Sequence, residues 1–258
     1  MGRLSGRVAL VTGSGRGIGR AIALAYGREG ASLGLAARTQ REIDAVANEI
    51  RALGGQAFAV AADIMDRAAV KEMVGKVIAH FGRLDILMNN GGGSVGERTM
   101  LQSAEADDDL FERNLALNLT SAYWATRAAL PQMVRQNYGR VIFIGSGYAK
   151  RGGGALAYSA AKHGLIGLTR ALAYQVPPGI TVNTLCPGWT NTSLLDWDRI
   201  GKGRGITPAA AKAAAAAENI QQRILEPDEL GPMAVLLASD EAKGITGQVI
   251  SVDGGYRV

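Results

Sequence analysis

Short, continuously apolar runs alternate along the chain with longer stretches whose apolar positions recur at helical spacing. Arg7 to Thr12 is the first apolar run, and Arg20 to Glu29 is the first helical pattern. A second strand reads over Ala31 to Ala37. An amphipathic helix follows over Gln40 to Leu53, closed by Gly54 and Gly55. The third strand, Ala57 to Ala62, ends at Asp63, and a helix over Arg67 to Phe81 stops at Gly82. Leu84 to Asn89 is the fourth strand. A long helical region spans Asp107 to Asn137, with a break or kink expected at Pro131. The strand Val141 to Gly145, the helix Ala157 to Val176 and the strand Ile180 to Cys186 continue the alternation. A helix over Glu229 to Ser239 and a strand over Val249 to Val252 complete it.

Strands that are apolar throughout are expected to be buried on both faces. Seven such runs separated by helices predict an α/β protein with a parallel sheet and helices on both faces. No linker or fixed-period repeat intervenes, so residues 1–258 read as one domain. The outlier is the stretch 191–226, polar at first and then Ala-rich from Ala209 to Ala217. It reads as a helical insertion and a candidate mobile lid. A surface helix of good propensity is the plainer alternative, and both can hold.

Composition narrows the function classes. Of 258 residues, 47% are hydrophobic, 20% charged and 5% aromatic, an ordinary balance for a soluble globular chain. The formal charge of +5 is spread along the sequence, which fits a small anionic ligand and does not point to nucleic acid. No apolar run reaches the roughly 18 residues of a membrane span. The start, Met1 to Arg7, leads into a strand rather than a leader. One cysteine, Cys186, excludes a disulfide framework and reads as a buried inert thiol. With only two histidines beside it, no metal site is expected. A cytoplasmic setting is the expectation.

Candidate chemistry begins at Thr12-Gly-Ser-Gly-Arg-Gly-Ile-Gly19, between the first strand and its helix. Glycines there permit tight turning and close approach of a diphosphate to N–H groups at the helix start. The residues in question are Gly13, Ser14, Arg16, Gly17, Ile18 and Gly19. An acid at the end of the second strand would hold an adenosine ribose and repel a 2′-phosphate. The chain has Ala37 there, followed by Arg38, and Arg16 adds a second cation. This argues for NADP(H) over NAD(H), with NAD(H) the alternative. Asp63 reads either as an acceptor for an adenine amino group or as a helix N-cap. Further on, Tyr158 and Lys162 lie four apart on one helix face. A cation near a phenol lowers its pKa from about 10 and makes it a usable acid or base. The spacing is common, and the pair alone reads first as an ordinary surface pair.

Taken in order, the pieces Thr12 to Gly19, Asp63-Ile64, Asn89 to Gly92, Asn118, Ser146, Tyr158 to Lys162, Val182-Asn183, Pro187-Gly188, Thr246-Gly247 and Asp253 to Gly255 resemble the classical short-chain dehydrogenase/reductases over nearly the whole length. The resemblance implies a Rossmann-type, doubly wound fold, a nicotinamide cofactor and a tetrad of Asn118, Ser146, Tyr158 and Lys162. In that scheme Ser146 binds a carbonyl oxygen and Tyr158 exchanges its proton. Lys162 tunes the phenol and holds the nicotinamide ribose, while Asn118 fixes a helix kink and a water relay. Ile64, Asn90, Gly91, Pro187, Gly188, Thr190 and Thr192 join the cofactor-binding set. The family's Asn-Asn-Ala-Gly is here Asn89-Asn-Gly-Gly92.

The family implies a ketone or secondary alcohol as substrate. Pocket candidates are Gly93-Ser94, Tyr148, Lys150-Arg151, Trp189 and the lid from Ser193 with Trp197 and Arg199. Lys150-Arg151 reads either as an anion-binding feature or as a solvated pair. A 3-oxoacyl thioester reductase is the alternative, but the positions matching basic carrier-docking residues hold Asn137 and Gly179. A non-catalytic nucleotide sensor is the alternative from another class; it would be expected to have lost Tyr158 or Lys162. A homotetramer is the family expectation, supported by two long Ala- and Leu-rich helices at about 108–136 and 157–176.

Overall fold

Val8–Thr12 (β1) is buried at all five positions, as a strand without polar alternation requires. The structure, a computed structural model, describes residues 2–94, 108–153 and 155–257. After β1 come α1 (Gly17–Arg28), β2 (Ser32–Ala37), α2 (Gln40–Ala52), β3 (Ala57–Ala61), α3 (Arg67–Phe81) and β4 (Ile86–Asn89). Next are α4 (Asp108–Leu115), α5 (Ser121–Arg135), β5 (Gly139–Ile144), α6 (Leu156–Gln175) and β6 (Ile180–Pro187). The last elements are α7 (Trp197–Arg204), α8 (Pro208–Ala217), α9 (Gly231–Ala238) and β7 (Val249–Val252).

Among the described residues the seven strands form one parallel sheet in the order β3-β2-β1-β4-β5-β6-β7. One apolar layer joins the sheet to α1, α2 and α9 through Ile22, Tyr26, Ile43, Ile50, Val235 and Leu237. The other joins it to α3, α5 and α6 through Val70, Met73, Val77, Ala129, Met133 and Leu165. This is the doubly wound architecture expected from the alternation. The central strands are fully buried, and the edge strands β3 and β7 are not. The chain runs from β1 out to β3 and then returns to lay β4 on the other side of β1. Strand order reverses there, so the carboxyl ends of β1 and β4 flank a crevice.

Three departures from the sequence pattern bear on the site. First, α1 begins at Gly17, inside the glycine loop. Its N-cap, Arg16, makes no side-chain cap and its first turn holds no acid, so the leading N–H groups are left for another acceptor. Second, the helical region expected from Asp107, which lies outside the described residues, is not one helix. A π-helical turn, Ala116–Thr120, separates α4 from α5. The interruption is not at Pro131, because α5 continues past it to Arg135. Side chains intrude on the helix ladder instead: Asn118 Nδ2 donates to the Asn114 carbonyl at 3.0 Å and Ser121 Oγ to the Leu117 carbonyl at 2.6 Å. Third, the stretch 191–226 carries two capped helices. Asp196 caps α7 and Thr207 caps α8. The two ends of the stretch are stitched together, with Asn191 N–H on the Leu225 carbonyl at 2.7 Å and Leu225 N–H on the Trp189 carbonyl at 2.8 Å. Among the described residues no helix is long and apolar enough to cross a membrane.

Candidate active site

The glycine loop after β1 is held from two sides. Ser14, fully buried, donates its N–H to the Ala36 carbonyl of β2. From β4, the Asn90 amide donates to the carbonyls of Thr12 (2.9 Å) and Gly13 (3.1 Å), and Thr12 Oγ1 accepts the N–H groups of Asn90 and Gly91. The Asn90 side chain is therefore spent on shaping the loop. Gly13 and Gly17 take φ of 65° and 54°, where a side chain is strained. A Cβ on Gly19 would collide with the Gly13 carbonyl oxygen. Ile18 packs on the apolar layer beneath. In place of the family's alanine, Gly91 leaves room that Ile64 fills: a Cβ there would lie 2.6 Å from Ile64 Cδ1.

Arg16 and Arg38 are both exposed, and neither guanidinium makes a hydrogen bond or ion pair among the described residues. Asp63 accepts the Met65 N–H, while the N-cap of α3 is Asp66. The capping alternative for Asp63 thus falls to its neighbour three residues on. One acid near the loop was not legible in the sequence. Glu42, in the first turn of α2, lies over Gly15, whose Cβ would be 2.9 Å from Glu42 Oε2. Its position in the chain marks it only as an acid suited to a helix N-terminus.

The tetrad candidates converge at the ends of β4, β5 and α6. Asn118, in the π turn, clasps Gly93 with both ends of its amide: Oδ1 accepts the Gly93 N–H at 2.9 Å and Nδ2 donates to its carbonyl at 2.8 Å. A Cβ on Gly92 would meet Asn118 Oδ1 at 2.7 Å and Lys162 Nζ at 3.5 Å, so both groups border that backbone. Lys162 is buried, and its Nζ donates to the Ile144 carbonyl at 2.8 Å. Burial holds it down, at about 8. Its Nζ lies 5.6 Å from the centroid of the Tyr158 ring. Ser146 follows β5, and its Oγ accepts the Tyr148 N–H. Ser146 and Tyr158 both keep part of their surface accessible. Burial nevertheless pushes the Tyr158 phenol up to about 12, opposed by a hydrogen bond with the Ser146 side chain. The expectation that Lys162 lowers this phenol is corrected for the protein alone: burial raises it, and the group that opposes the rise is Ser146 rather than Lys162. Cys186 sits behind Ser146, within van der Waals reach of Gly145, with its thiol pushed up by burial.

The loop after β6 completes the crevice. Gly188 packs so closely on Asp253 that a Cβ would lie 2.7 Å from the Asp253 carbonyl oxygen. Pro187 ends the strand, Thr190 is buried with Oγ1 on the Gly188 carbonyl, and Thr192 abuts Gly17 of the glycine loop. A cavity of about 420 Å³ opens there between Arg16, Gly17, Thr192 and Ser193. Leu194 reaches over Gly93, whose Cβ would be 3.7 Å from Leu194 Cδ2. Beyond Ser146 stand three aromatic rings: Tyr148 is 6.2 Å from Trp189, and Trp189 is 6.1 Å from Trp197. Glu218, unnoticed in the sequence because its partners are distant, anchors this group. It accepts Trp189 Nε1–H at 2.9 Å and pairs with Arg257 at 3.3 Å and Arg204 at 3.8 Å. Lys150 and Arg151 are turned to protein partners, Ser251 Oγ and the Arg257 carbonyl.

These residues fit a dinucleotide. Side-chain-free backbone and uncapped N–H groups suit a diphosphate, the unpartnered Arg16 and Arg38 suit a further phosphate, and Lys162 keeps donor capacity beyond its single carbonyl. Another groove, about 630 Å³ along α5 and α6, is away from this chemistry.

Comparison with known proteins agrees. The family model for short chain dehydrogenases matches residues 7–203. An uncharacterised oxidoreductase, YxjF, of Bacillus subtilis (strain 168) is 37% identical, covering 97% of this chain and 98% of its own. D-beta-hydroxybutyrate dehydrogenase of Cupriavidus necator is 35% identical over 98% of each chain. Among solved structures, the F189W actinorhodin polyketide ketoreductase with NADPH superposes with a TM-score of 0.92 at 31% identity, covering 100% of this chain and 99% of that one.

Proposed function

The chain belongs to the short-chain dehydrogenase/reductase family, and on that premise we propose that it interconverts a ketone and a secondary alcohol, with Tyr158 as general acid and base and NADP(H) as the preferred cofactor. The observation that carries the reading is the convergence of Ser146, Tyr158, Lys162 and Asn118 beside a glycine-lined cradle. The bound dinucleotide supplies hydride to the carbonyl carbon, or takes it in the reverse direction. Ser146 Oγ–H donates to the carbonyl oxygen. In reduction the Tyr158 hydroxyl hydrogen-bonds the same oxygen and gives it a proton as negative charge develops. A phenol held near 12 stays protonated at neutral pH, which suits reduction. For oxidation the phenolate must be stabilised, and the Lys162 ammonium is the group to do it. Asn118 fixes the Gly93 backbone next to Gly92, which Lys162 borders, and with it the floor on which a nicotinamide ribose would rest.

Two free guanidinium groups and the lack of an acid after Ala37 support NADP(H), with Glu42 as the opposing charge. NAD(H) remains the second cofactor. The likeness to a polyketide ketoreductase favours, as the second reading, a 3-oxoacyl thioester substrate. Against it, Asn137 and Gly179 present no basic docking charge. The presence of both Tyr158 and Lys162 ranks a non-catalytic sensor behind either. The proposal includes a single domain over 1–258 with 191–226 as its lid, the stitched ends at Asn191 and Leu225 serving as the root. It also includes a homotetramer, supported by the apolar groove on α5 and α6 with Tyr123, Leu130 and Val134, and a cytoplasmic setting, with which the single buried thiol of Cys186 is compatible. The test is an NADPH- and NADH-oxidation screen over ketones, keto sugars and 3-oxoacyl thioesters, with the alcohols in reverse. Turnover of a ketone, faster with NADPH, is expected. Absence of turnover with every carbonyl and alcohol overturns the reading.

A further inference from the structure

We propose that the aromatic group Tyr148, Trp189 and Trp197 is a ring-binding wall that commits the site to aryl ketones and the corresponding benzylic alcohols. The inference rests on the oxidoreductase reading above and narrows its substrate.

The wall's position follows from the chain. Tyr148 stands two residues after Ser146, on the short turn that Ser146 caps. Its backbone N–H donates to Ser146 Oγ at 3.2 Å, which sets the residue beside the hydroxyl proposed to bind the carbonyl oxygen. Trp189 follows directly on Pro187-Gly188, and Trp197 opens α7. All three keep part of their surface accessible, as Ser146 and Tyr158 do.

The rings are held in place. Tyr148 meets Trp189 edge to face, at 85° between planes, and is backed by Tyr256 at 90° and 5.9 Å. Trp189 is fixed at its indole N–H by Glu218 and covered by the Arg204 guanidinium, 6.0 Å from its centroid. Glu218 in turn joins the end of α8 to Arg204 of α7 and Arg257 near the C-terminus. Aromatic groups at centroid distances of about 4.5–7 Å attract one another beyond their buried area. Rings preset at such spacing favour a flat aromatic guest over a puckered or linear one.

The polar surroundings point the same way. Lys150, Arg151, Asn191 and Glu218 each have protein partners. A polyol or a carboxylate would have to break those bonds, whereas an aryl group needs none of them.

The test uses the whole protein with its preferred nicotinamide cofactor and matched ketones: an aryl methyl ketone, its cyclohexyl analogue, a linear ketone of equal carbon count, a keto polyol and a 3-oxoacyl thioester. The expected result is a kcat/KM for the aryl ketone roughly 3- to 10-fold above that for the cyclohexyl analogue, carried by KM. In Trp189→Leu that ratio should fall to near one. A wild-type ratio near one, a preference unchanged in Trp189→Leu, or a stronger preference for the polyol or thioester overturns the wall while leaving the oxidoreductase reading intact. Failure to turn over any of the five overturns that reading and the wall with it. A binding readout is independent of turnover and of the variant's folding. The benzylic alcohol should quench wild-type indole fluorescence saturably and at lower concentration than the cyclohexyl alcohol; equal or absent quenching counts against the wall.

Discussion

Lys162→Met should make the cofactor-free protein more stable at neutral pH while removing its activity. Lys162 is 4% exposed, and its ammonium has one protein acceptor among the described residues, the Ile144 carbonyl. Burial holds its pKa at about 8 in place of 10.5. Keeping the charge at pH 7 therefore costs folding about 3 kcal/mol. Below pH 8 folded and unfolded chains both carry the proton, and the cost is full. Between pH 8 and 10.5 the unfolded chain binds more proton than the folded one, so wild-type stability climbs with pH. Methionine keeps the apolar stem and removes the charge. Against that gain stands the lost hydrogen bond to Ile144, worth about 1 kcal/mol. The net expectation is a variant about 2 kcal/mol more stable at pH 7, with an advantage that shrinks as pH rises through the same window. Urea unfolding of both proteins at neutral and alkaline pH, at one protein concentration, reads this directly. Tyr158 is present in both and cancels. A variant less stable than wild type at pH 7, or an advantage independent of pH, refutes the assignment of a costly buried charge.

Arg38→Asp should move cofactor preference towards NADH by removing a guanidinium and adding an acid beside the ribose; an unchanged ratio of kcat/KM values for NADPH and NADH contradicts the phosphate role. Gly19→Ala forces a methyl onto the Gly13 carbonyl and should cost about 1–3 kcal/mol of stability together with cofactor affinity, measured by calorimetric titration; wild-type affinity contradicts the close-packed loop. Glu218→Ala frees Trp189, Arg204 and Arg257 and should raise KM for the reactive ketone severalfold with a smaller effect on kcat. An equal fall in kcat at constant KM contradicts a positioning role.

The parallel sheet was legible because β1, β4 and the Val141–Ile144 part of β5 are apolar without alternation, a pattern that two-faced burial explains. A kink at Asn118 was expected from the family resemblance alone; periodicity did not show the π turn, because Asn118 and Ser121 reveal it only once their side chains are seen bonding to helix carbonyls four residues back. Proline drew attention to position 131, where the helix tolerates it. In the site, the Tyr158–Lys162 spacing was readable from helical periodicity, but the direction of the phenol's pKa was not. Spacing reports proximity to a cation; desolvation depends on the whole fold around the ring. Glu218 and Glu42 illustrate the same limit. Their importance lies in partners brought close by tertiary structure, Trp189 from the loop after β6 and Gly15 from the glycine loop, and local pattern carries no trace of either.

The central claim is that the Tyr158 hydroxyl moves the proton that accompanies hydride transfer. The most direct measurement compares wild type with Tyr158→Phe on one reactive ketone, with cofactor binding followed in parallel. The account predicts a fall in kcat of at least about 100-fold while the dissociation constant for NADPH stays within a few fold of wild type. A phenylalanine variant that reduces the same ketone at the wild-type rate contradicts it.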